Sequence, residues 1–320
     1  MKTVIVTGAA GFIGSNVVPQ LLTEGYTVIG VDNFDDTYTP AFKESNVAPF
    51  SLHENFTLRR VDIRDLPTTK ALFETHKPSY VIHLAAKADT RDAVDNPHIY
   101  TSVNIEGTLN ILELCRAYPV KNLVIASSSS VYGNSPRVPW SEEEAADRPL
   151  SPYGATKRAV EMFAHTYHHN FNMPITCLRF FNAYGENNRP NMVPYIWAEK
   201  ILSGNEVEIS GDGSRKRDYT YIGDTVKAIV LAMQKPLGFE IINIGNHTPV
   251  SLNELRAAFE KVIGTTATVK SRPSHKASVE VTYANVDKAK KLLGWEPSVP
   301  LEEGISRLVA WMRANRIKER

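Results

Sequence analysis

Three glycines, placed between a strand pattern and a helix pattern, constrain this chain more than anything else in it. The β-rich run Thr3–Thr7 leads into Gly8-Ala9-Ala10-Gly11-Phe12-Ile13-Gly14, and an amphipathic stretch, Phe12–Glu24, follows. In that setting the first glycine permits a tight turn, the second lets backbone approach a pyrophosphate, and the third lets helix and sheet pack closely. The helix N-terminus adds free N–H groups and a dipole that favour anions. Asp32 ends the second strand pattern, 18 residues past Gly14, close to the spacing of a carboxylate that bonds an adenosine ribose. Such a carboxylate repels a 2′-phosphate, and Asn33-Phe34-Asp35-Asp36 after it holds no arginine to accept one. NAD is therefore expected rather than NADP.

The same strand-then-helix rhythm continues. Strand patterns at Thr27–Val31, Thr57–Val61, Tyr80–Leu84, Asn122–Ala126 and Ile175–Phe180 alternate with helical stretches at Leu66–His76, Ile99–Ala117 and Tyr153–Asn170. Alternation of this kind predicts an α/β fold with helices on both faces of a parallel sheet. Several strands are apolar throughout, as strands covered on both faces must be. Beyond about residue 181 the chain turns irregular, with one more strand pattern, Glu240–Ile244, and helices at Leu252–Ile263, Val286–Leu293 and Leu301–Ala314. The expected architecture is a Rossmann-type doubly wound parallel sheet with a smaller C-terminal α/β substrate lobe. Residues 1–180 form the dinucleotide domain, with 219–247 crossing back to it, and 181–218 plus 248–320 form the lobe.

Charge and cysteine usage narrow the function classes. Thirty-six basic against 35 acidic residues give a net charge of +1, without the basic excess of a nucleic-acid partner. No run approaches the roughly 18 apolar residues of a membrane span. The strand pattern begins within two residues of Met1, which leaves no room for a signal peptide. Cys115 and Cys177 stand alone in a helix and a strand pattern, without metal-ligand spacing. They are expected to be buried thiols in a reducing, cytoplasmic compartment, and no metal site is expected.

Tyr153 and Lys157 stand four apart in SPYGATK, at the start of a helical segment, so they share a helix face. A free phenol titrates near ~10, and bringing it to ~7 takes about 4 kcal/mol of differential stabilisation. The Lys157 ammonium and an oxidised nicotinamide, both cationic, are expected to supply it. Ser128 follows the strand Asn122–Ala126, at the end of a parallel strand where open sheets place ligands. Its hydroxyl suits a proton relay between a sugar hydroxyl and Tyr153.

Taken together, Gly8–Gly14, Asp32-Asn33, HLAA at 83–86, Asn104, SSSSVYG at 127–133, the Tyr153/Lys157 pair, RFFNAYG at 179–185, RDYTYIGD at 217–224, TYAN and LGWEP resemble the NDP-sugar epimerase/dehydratase family of extended short-chain dehydrogenases. The resemblance spans nearly the whole chain and is strongest to UDP-sugar 4-epimerases, UDP-glucuronate 4-epimerases above all. It implies an isomerase in which Tyr153, aided by Ser128, takes the 4-hydroxyl proton while C4 yields a hydride to NAD. The 4-ketosugar then turns over and receives the hydride on its other face. UDP-glucose and UDP-N-acetylglucosamine 4-epimerases are the alternatives, followed by a net nucleotide-sugar oxidoreductase and a non-catalytic NAD-binding protein.

The resemblance also implies roles for further residues. Phe12, Ile13, Asp62, Ile63, Leu84, Ala85, Ala86, Asn104 and Phe180 join Gly8, Gly11, Gly14, Asp32, Asn33, Tyr153 and Lys157 around NAD. Ser127, Ser128, Ser129, Asn182, Arg189, Asn191, Met192, Arg217 and Thr282 surround the UDP-sugar, with Asn182 and Arg217 on the diphosphate and Asn191-Met192 near the uridine. Related dehydratases and decarboxylases carry carboxylates where this chain has Ser129 and Ser130, and elimination needs such a second acid/base. Three departures stand out. Ser210 replaces an aromatic that stacks on the base, His275 and Ser278 replace an Arg and an Asp, and Asn182 replaces a threonine of glucuronate enzymes. Thr282 leaves room beside C2, and Arg189 suits a C6 carboxylate. The helices over Ile99–Ala117 and Tyr153–Asn170 resemble a pair that builds a dimeric four-helix bundle, with Val160, Phe163 and Tyr167 as outer-face candidates, so a homodimer is implied.

Overall fold

The computed structural model describes residues 2–273 and 279–315. The first half runs β1 (Thr3–Thr7), α1 (Phe12–Thr23), β2 (Thr27–Asp32), α2 (Pro40–Val47), β3 (Phe56–Arg60), α3 (Leu66–His76), β4 (Tyr80–His83). Two short helices, α4 (Asp92–Asp95) and α5 (Pro97–Thr101), pass through a π turn at Ser102–Glu106 into α6 (Gly107–Ala117). Then come β5 (Asn122–Ser128), α7 (Pro152–Phe171) and β6 (Ile175–Phe180). The remainder is β7 (Asn182–Tyr184), α8 (Val193–Leu202), β8 (Val207–Ser210), β9 (Lys216–Tyr221), α9 (Ile222–Gln234) and β10 (Phe239–Ile244). It closes with β11 (Pro249–Ser251), α10 (Leu252–Ile263), β12 (Val269–Arg272), α11 (Asp287–Leu293) and α12 (Leu301–Asn315).

Seven strands form one sheet in the order β10-β6-β5-β4-β1-β2-β3, and every pair is parallel. Side chains alternate between its faces. Val4, Val6, Val28, Ile82, Val124 and Leu178 join one core cluster with α1 and α9. Ile5, Ile29, Val81, Ile125 and Cys177 join another with α3, α6 and α7. Both parities of β1, β2, β4, β5 and β6 are buried, which is why these strands read as largely apolar runs. Each such side chain contributes roughly 1.5–3 kcal/mol on leaving water. The winding reverses between β1 and β4, so the C-terminal strand ends open a crevice there.

The irregular stretch after residue 181 holds two helices that periodicity misses. In α9, Ile222, Val226, Ala228, Ile229, Val230, Ala232 and Met233 are buried around most of its circumference. Its exposed positions, Gly223, Lys227 and Gln234, fall on one narrow stripe, where Gly223 adds no polar side chain to mark it. The helix packs on α1 and β5, and β10 then pairs with β6 at the sheet edge. The other missed helix, α8, starts with proline in its first turn, where the missing N–H costs nothing. The smaller sheets are β11-β9-β7 and β12-β8.

Two buried carboxylates fasten the C-terminal segments. Asp218 in β9 accepts from the backbone N–H groups of Asn246, His247 and Ala284 at 2.6, 3.1 and 3.0 Å. Asp224 in α9 accepts from Ser298 N, Ser298 Oγ and Val299 N at 3.0, 2.8 and 3.0 Å, and Trp295 Nε1 donates to its carbonyl. The TYAN and LGWEP segments thus bear on assembly.

The helix expected over Ile99–Ala117 is interrupted by the π turn. There Asn104 Nδ2 donates to Lys87 O and Thr156 Oγ1, and its Oδ1 accepts from Lys87 N at 2.8 Å. Of the outer-face candidates, Val160 is core and Tyr167 is half-buried against Glu113, whereas Phe163 is exposed.

Candidate active site

A cleft of about 810 Å³ runs across the C-terminal strand ends from the glycine turn to the β8/β12 pair. That volume is at the upper end for a single small ligand and suits two. At one end Gly8 takes φ +72° and packs against the Ala85 backbone, while a Cβ on Gly14 would run into the Gly8 carbonyl. Gly11, Phe12 and Ile13 line the cleft beside them. Asp32 Oδ2 accepts from Ala10 N at 3.1 Å and Oδ1 from Phe34 N at 2.8 Å, which fixes the carboxylate at the cleft wall. This bare backbone at a helix N-terminus, followed by a held acid, fits a dinucleotide.

Around Asp32 lies a charge network that motif reasoning leaves unassigned. Lys43 Nζ reaches Asp32 at 3.4 Å and Asp35 at 2.9 Å, and Lys87 Nζ reaches Asp35 at 2.7 Å. Burial alone would raise the Asp35 carboxyl, but Lys87 and Lys43 outweigh it and hold it well below the usual range. Asn33 Nδ2 donates to Asp62 Oδ2 at 3.0 Å, and Arg64 bonded to Asp62 holds that carboxyl at about 2. Only the fold shows that Lys43 and Lys87 meet on one acid. Ile63, Leu84, Ala85, Ala86 and Phe180 line the same cavity. Asn104 does not line it: its amide is spent holding the 87–88 backbone in place.

At the centre, Tyr153 and Lys157 project from the first turns of α7, whose N-cap Ser151 accepts from Gly154 N. Lys157 Nζ donates to Ala126 O at 2.7 Å, and burial pushes its ammonium down to about 8. Burial pushes the Tyr153 phenol up, partly offset by a hydrogen bond from Ser128 and by the charge of Arg189, while Asp89 raises it further. Lys157 lies one helical turn from Tyr153, with its ammonium held by the Ala126 carbonyl. Asp89 Oδ1 is itself taken by Arg91 N and Asp92 N, at 2.8 and 3.2 Å.

The four serines separate. Ser127 Oγ donates to Glu161 Oε1 at 2.6 Å, within a buried pair where Arg179 grips Glu161 at 2.8 and 2.9 Å. That hydroxyl is committed to the core and is not offered to a sugar, although Ser127 forms part of the wall. Ser128 Oγ accepts from Ser130 N at 3.1 Å and acts to lower the Tyr153 phenol, and Ser129 and Ser130 line the cleft beside it. Arg189 Nη1 donates to Ala88 O at 2.9 Å, and no carboxylate pairs with it among the described residues.

Asn182, Asn191, Met192 and Arg217 line the far half of the cleft. Burial lowers the Arg217 guanidinium from its ordinary value, Arg215 adds to this, and no carboxylate pairs with it among the described residues. An unpaired, partly buried cation of this kind calls for an anion. Arg215 also lines the cleft and pairs with Glu280 at 2.9 Å. Thr282 does not line it. Its Oγ1 accepts from Asp218 N at 2.9 Å, a buried N–H that needs this partner. His275 and Ser278 lie outside the described residues. Among the described residues, no group of three or more His, Cys, Asp or Glu side chains is placed to hold a metal ion.

Over residues 5–308 the chain matches the family model described as GDP-mannose 4,6 dehydratase. A UDP-glucuronate 4-epimerase of Thermodesulfobacterium geofontis is 44% identical over 313 residues, covering 97% of this chain and 96% of that protein. The crystal structure of UDP-glucuronic acid 4-epimerase from Bacillus cereus, in complex with UDP-glucuronic acid and NAD, matches with a TM-score of 0.92 at 34% identity, covering 98% of this chain and 99% of that one. UDP-glucose 4-epimerase from Thermotoga maritima with UDP-glucose matches with a TM-score of 0.90 at 36% identity, with the same coverage of 98% and 99%. The chain belongs to the NAD-dependent epimerase/dehydratase family, the extended short-chain dehydrogenase group that its motifs resemble.

Proposed function

We propose that this protein is an NAD-dependent UDP-sugar 4-epimerase whose sugar is UDP-glucuronate. The observation that carries the choice of sugar is Arg189, a cleft cation whose charge reaches the Tyr153 phenol and which no carboxylate pairs among the described residues. A C6 carboxylate there gains a charge-assisted bond. Ser128 would relay the 4-hydroxyl proton to the Tyr153 phenolate, which the positive charge of bound oxidised nicotinamide would favour, and Lys157, on the same helix face as Tyr153, is held by the Ala126 carbonyl. Arg217 takes the diphosphate, and Asp32 takes the adenosine ribose. Bound NAD supplies a hydride acceptor at C4 that gives the hydride back to the opposite face. Ser129 and Ser130 offer no carboxyl for a competing elimination.

The test is turnover. The protein with NAD should convert UDP-glucuronate to its C4 epimer by NMR, with no net reduced nicotinamide. Arg189→Ala should lower kcat/KM for UDP-glucuronate by roughly 10–100-fold, the loss of a charged hydrogen bond, and lower that for UDP-glucose far less. Equal loss on both sugars would remove Arg189 from carboxylate recognition.

The same reading makes the protein a homodimer through α6 and α7, supported by exposed Met162, Phe163 and Phe171 on α7. It also places the chain in the cytoplasm, supported by two free, buried cysteines whose thiols burial pushes up. Among the described residues no helix is long and apolar enough to cross a membrane.

A further inference from the structure

Tyr153, Lys157 and Glu161 stand four apart on α7 and so share one face of the helix. The end of β5 meets that face with three consecutive residues. Ser128 bears on the Tyr153 phenol, the Ala126 carbonyl accepts from Lys157 Nζ at 2.7 Å, and Ser127 Oγ donates to Glu161 Oε1 at 2.6 Å. The first two contacts belong to residues of the reaction. The third reaches a carboxylate that is wholly buried and does not line the cleft.

Arg179 of β6, the register partner of Ser127, completes that third contact. Its Nε donates to Glu161 Oε1 at 2.8 Å and its Nη2 to Oε2 at 2.9 Å, a two-bond fork that fixes distance and angle together. Arg158 Nη1 adds a bond to Oε2 at 3.1 Å from a half-buried position. The Arg179 guanidinium also lies over the Tyr132 ring, 4.7 Å from its centre, and the Tyr132 hydroxyl donates to Asn243 Oδ1 at 2.8 Å. Tyr132 ends the short turn Ser129–Tyr132 that Ser128 caps. One buried arginine therefore holds both ends of the segment carrying Ser128, through Glu161 at Ser127 and directly at Tyr132. A buried ion pair adds little stability over apolar side chains of similar volume. What this one adds is geometry, at a place where an error of about 1 Å can cost roughly 100-fold in rate.

Resting on the epimerase reading above, we propose that Glu161 and Arg179 are positioning residues, whose pair holds the turn carrying Ser128 against the Tyr153 face of α7 and so sets the path of the proton relay. Neither touches substrate or cofactor; both act through Ser128.

The test is a mutant cycle on the full-length protein with NAD and UDP-glucuronate, followed by NMR. The double variant Glu161→Leu/Arg179→Met replaces the pair with apolar side chains and should melt within about 5 °C of wild type. Its KM should stay within about twofold while kcat falls roughly 10–100-fold. Adding the same two changes to Ser128→Ala should cost about twofold or less, because the relay they position is already gone. Arg179→Lys keeps the charge without the fork, and should show the same pattern at roughly fivefold or more if the double variant fails to fold. An unchanged kcat in the folded variants, an equal loss with and without Ser128, or a Ser128→Ala protein as fast as wild type would each overturn the proposal. Wild-type protein that leaves UDP-glucuronate unchanged would instead sink the epimerase reading itself.

Discussion

Tyr153 and Lys157 sit one helical turn apart at the start of α7, and burial acts on both, raising the phenol and pushing the ammonium down to about 8. For the lysine the ordinary value is 10.5. The folded state therefore binds fewer protons than the unfolded chain between about 8 and 10.5, and stability rises with pH across that window. The corresponding contribution is present above the unfolded value and lost as pH falls through about 8, so at neutral pH the charged lysine is a cost to the fold. Lys157→Met should raise stability at pH 7 by roughly 1–3 kcal/mol, less whatever the bond to Ala126 contributes, and should abolish epimerisation. Thermal melts at pH 7 and pH 10 check this: the gain must shrink at the higher pH. A variant that is less stable than wild type at both values would refute the burial argument. The pattern is that of a site which gives up stability for function.

The glycine turn between β1 and α1 shows how one element carries a binding site. A Cβ on Gly14 would meet the Gly8 carbonyl, and Gly8 at φ +72° would clash with the Ala85 backbone if substituted. Gly14→Ala should therefore displace the start of α1 and cut NAD affinity by roughly tenfold or more, since positioning errors at an anion site forfeit charge-assisted bonds. Gly25→Ala is the control. It has open space around it but φ +79°, so it should cost about 1 kcal/mol of stability and leave NAD affinity alone. Fluorescence titration with NAD, beside a melt, distinguishes the two outcomes. This element was legible because its information is local, seven residues long and read in order. So was the Tyr153/Lys157 pair, four apart on one helix. The Ser210–Arg272 pairing was not legible, because parallel register between strands far apart in sequence leaves no local trace. Ser127 and Ser128 look alike as letters, and only the buried Glu161 shows that the first is structural. Helix α9 was harder to see, because only Lys227 and Gln234 put polar side chains on its narrow exposed stripe.

At the scale of the whole molecule, α9 is at once a layer of the nucleotide fold and the anchor for the C-terminal segment, so the sheet and that segment are expected to unfold together. Asp224 in its first turn accepts three hydrogen bonds from Ser298 and Val299. Asp224→Ala strands two backbone N–H groups and should cost about 2–4 kcal/mol. Urea melts followed by tyrosine fluorescence and by circular dichroism should shift together to a lower midpoint with unchanged slope. Two separated transitions would show that the lobes unfold independently. The parallel sheet with flanking helices could be read from strand and helix spacing, but the two carboxylate clasps at Asp218 and Asp224 required the fold.

The late return of β10 to the sheet edge has a consequence during synthesis. Until Ile244 has been made, β6 lacks its neighbour on that side and presents a bare row of backbone donors and acceptors. At about 5–20 residues per second, translation of the stretch from β6 to β10 takes several seconds. A nascent chain in that interval is open to strand addition by another polypeptide, so expression yield should respond to holdase chaperones more than the finished protein's stability suggests.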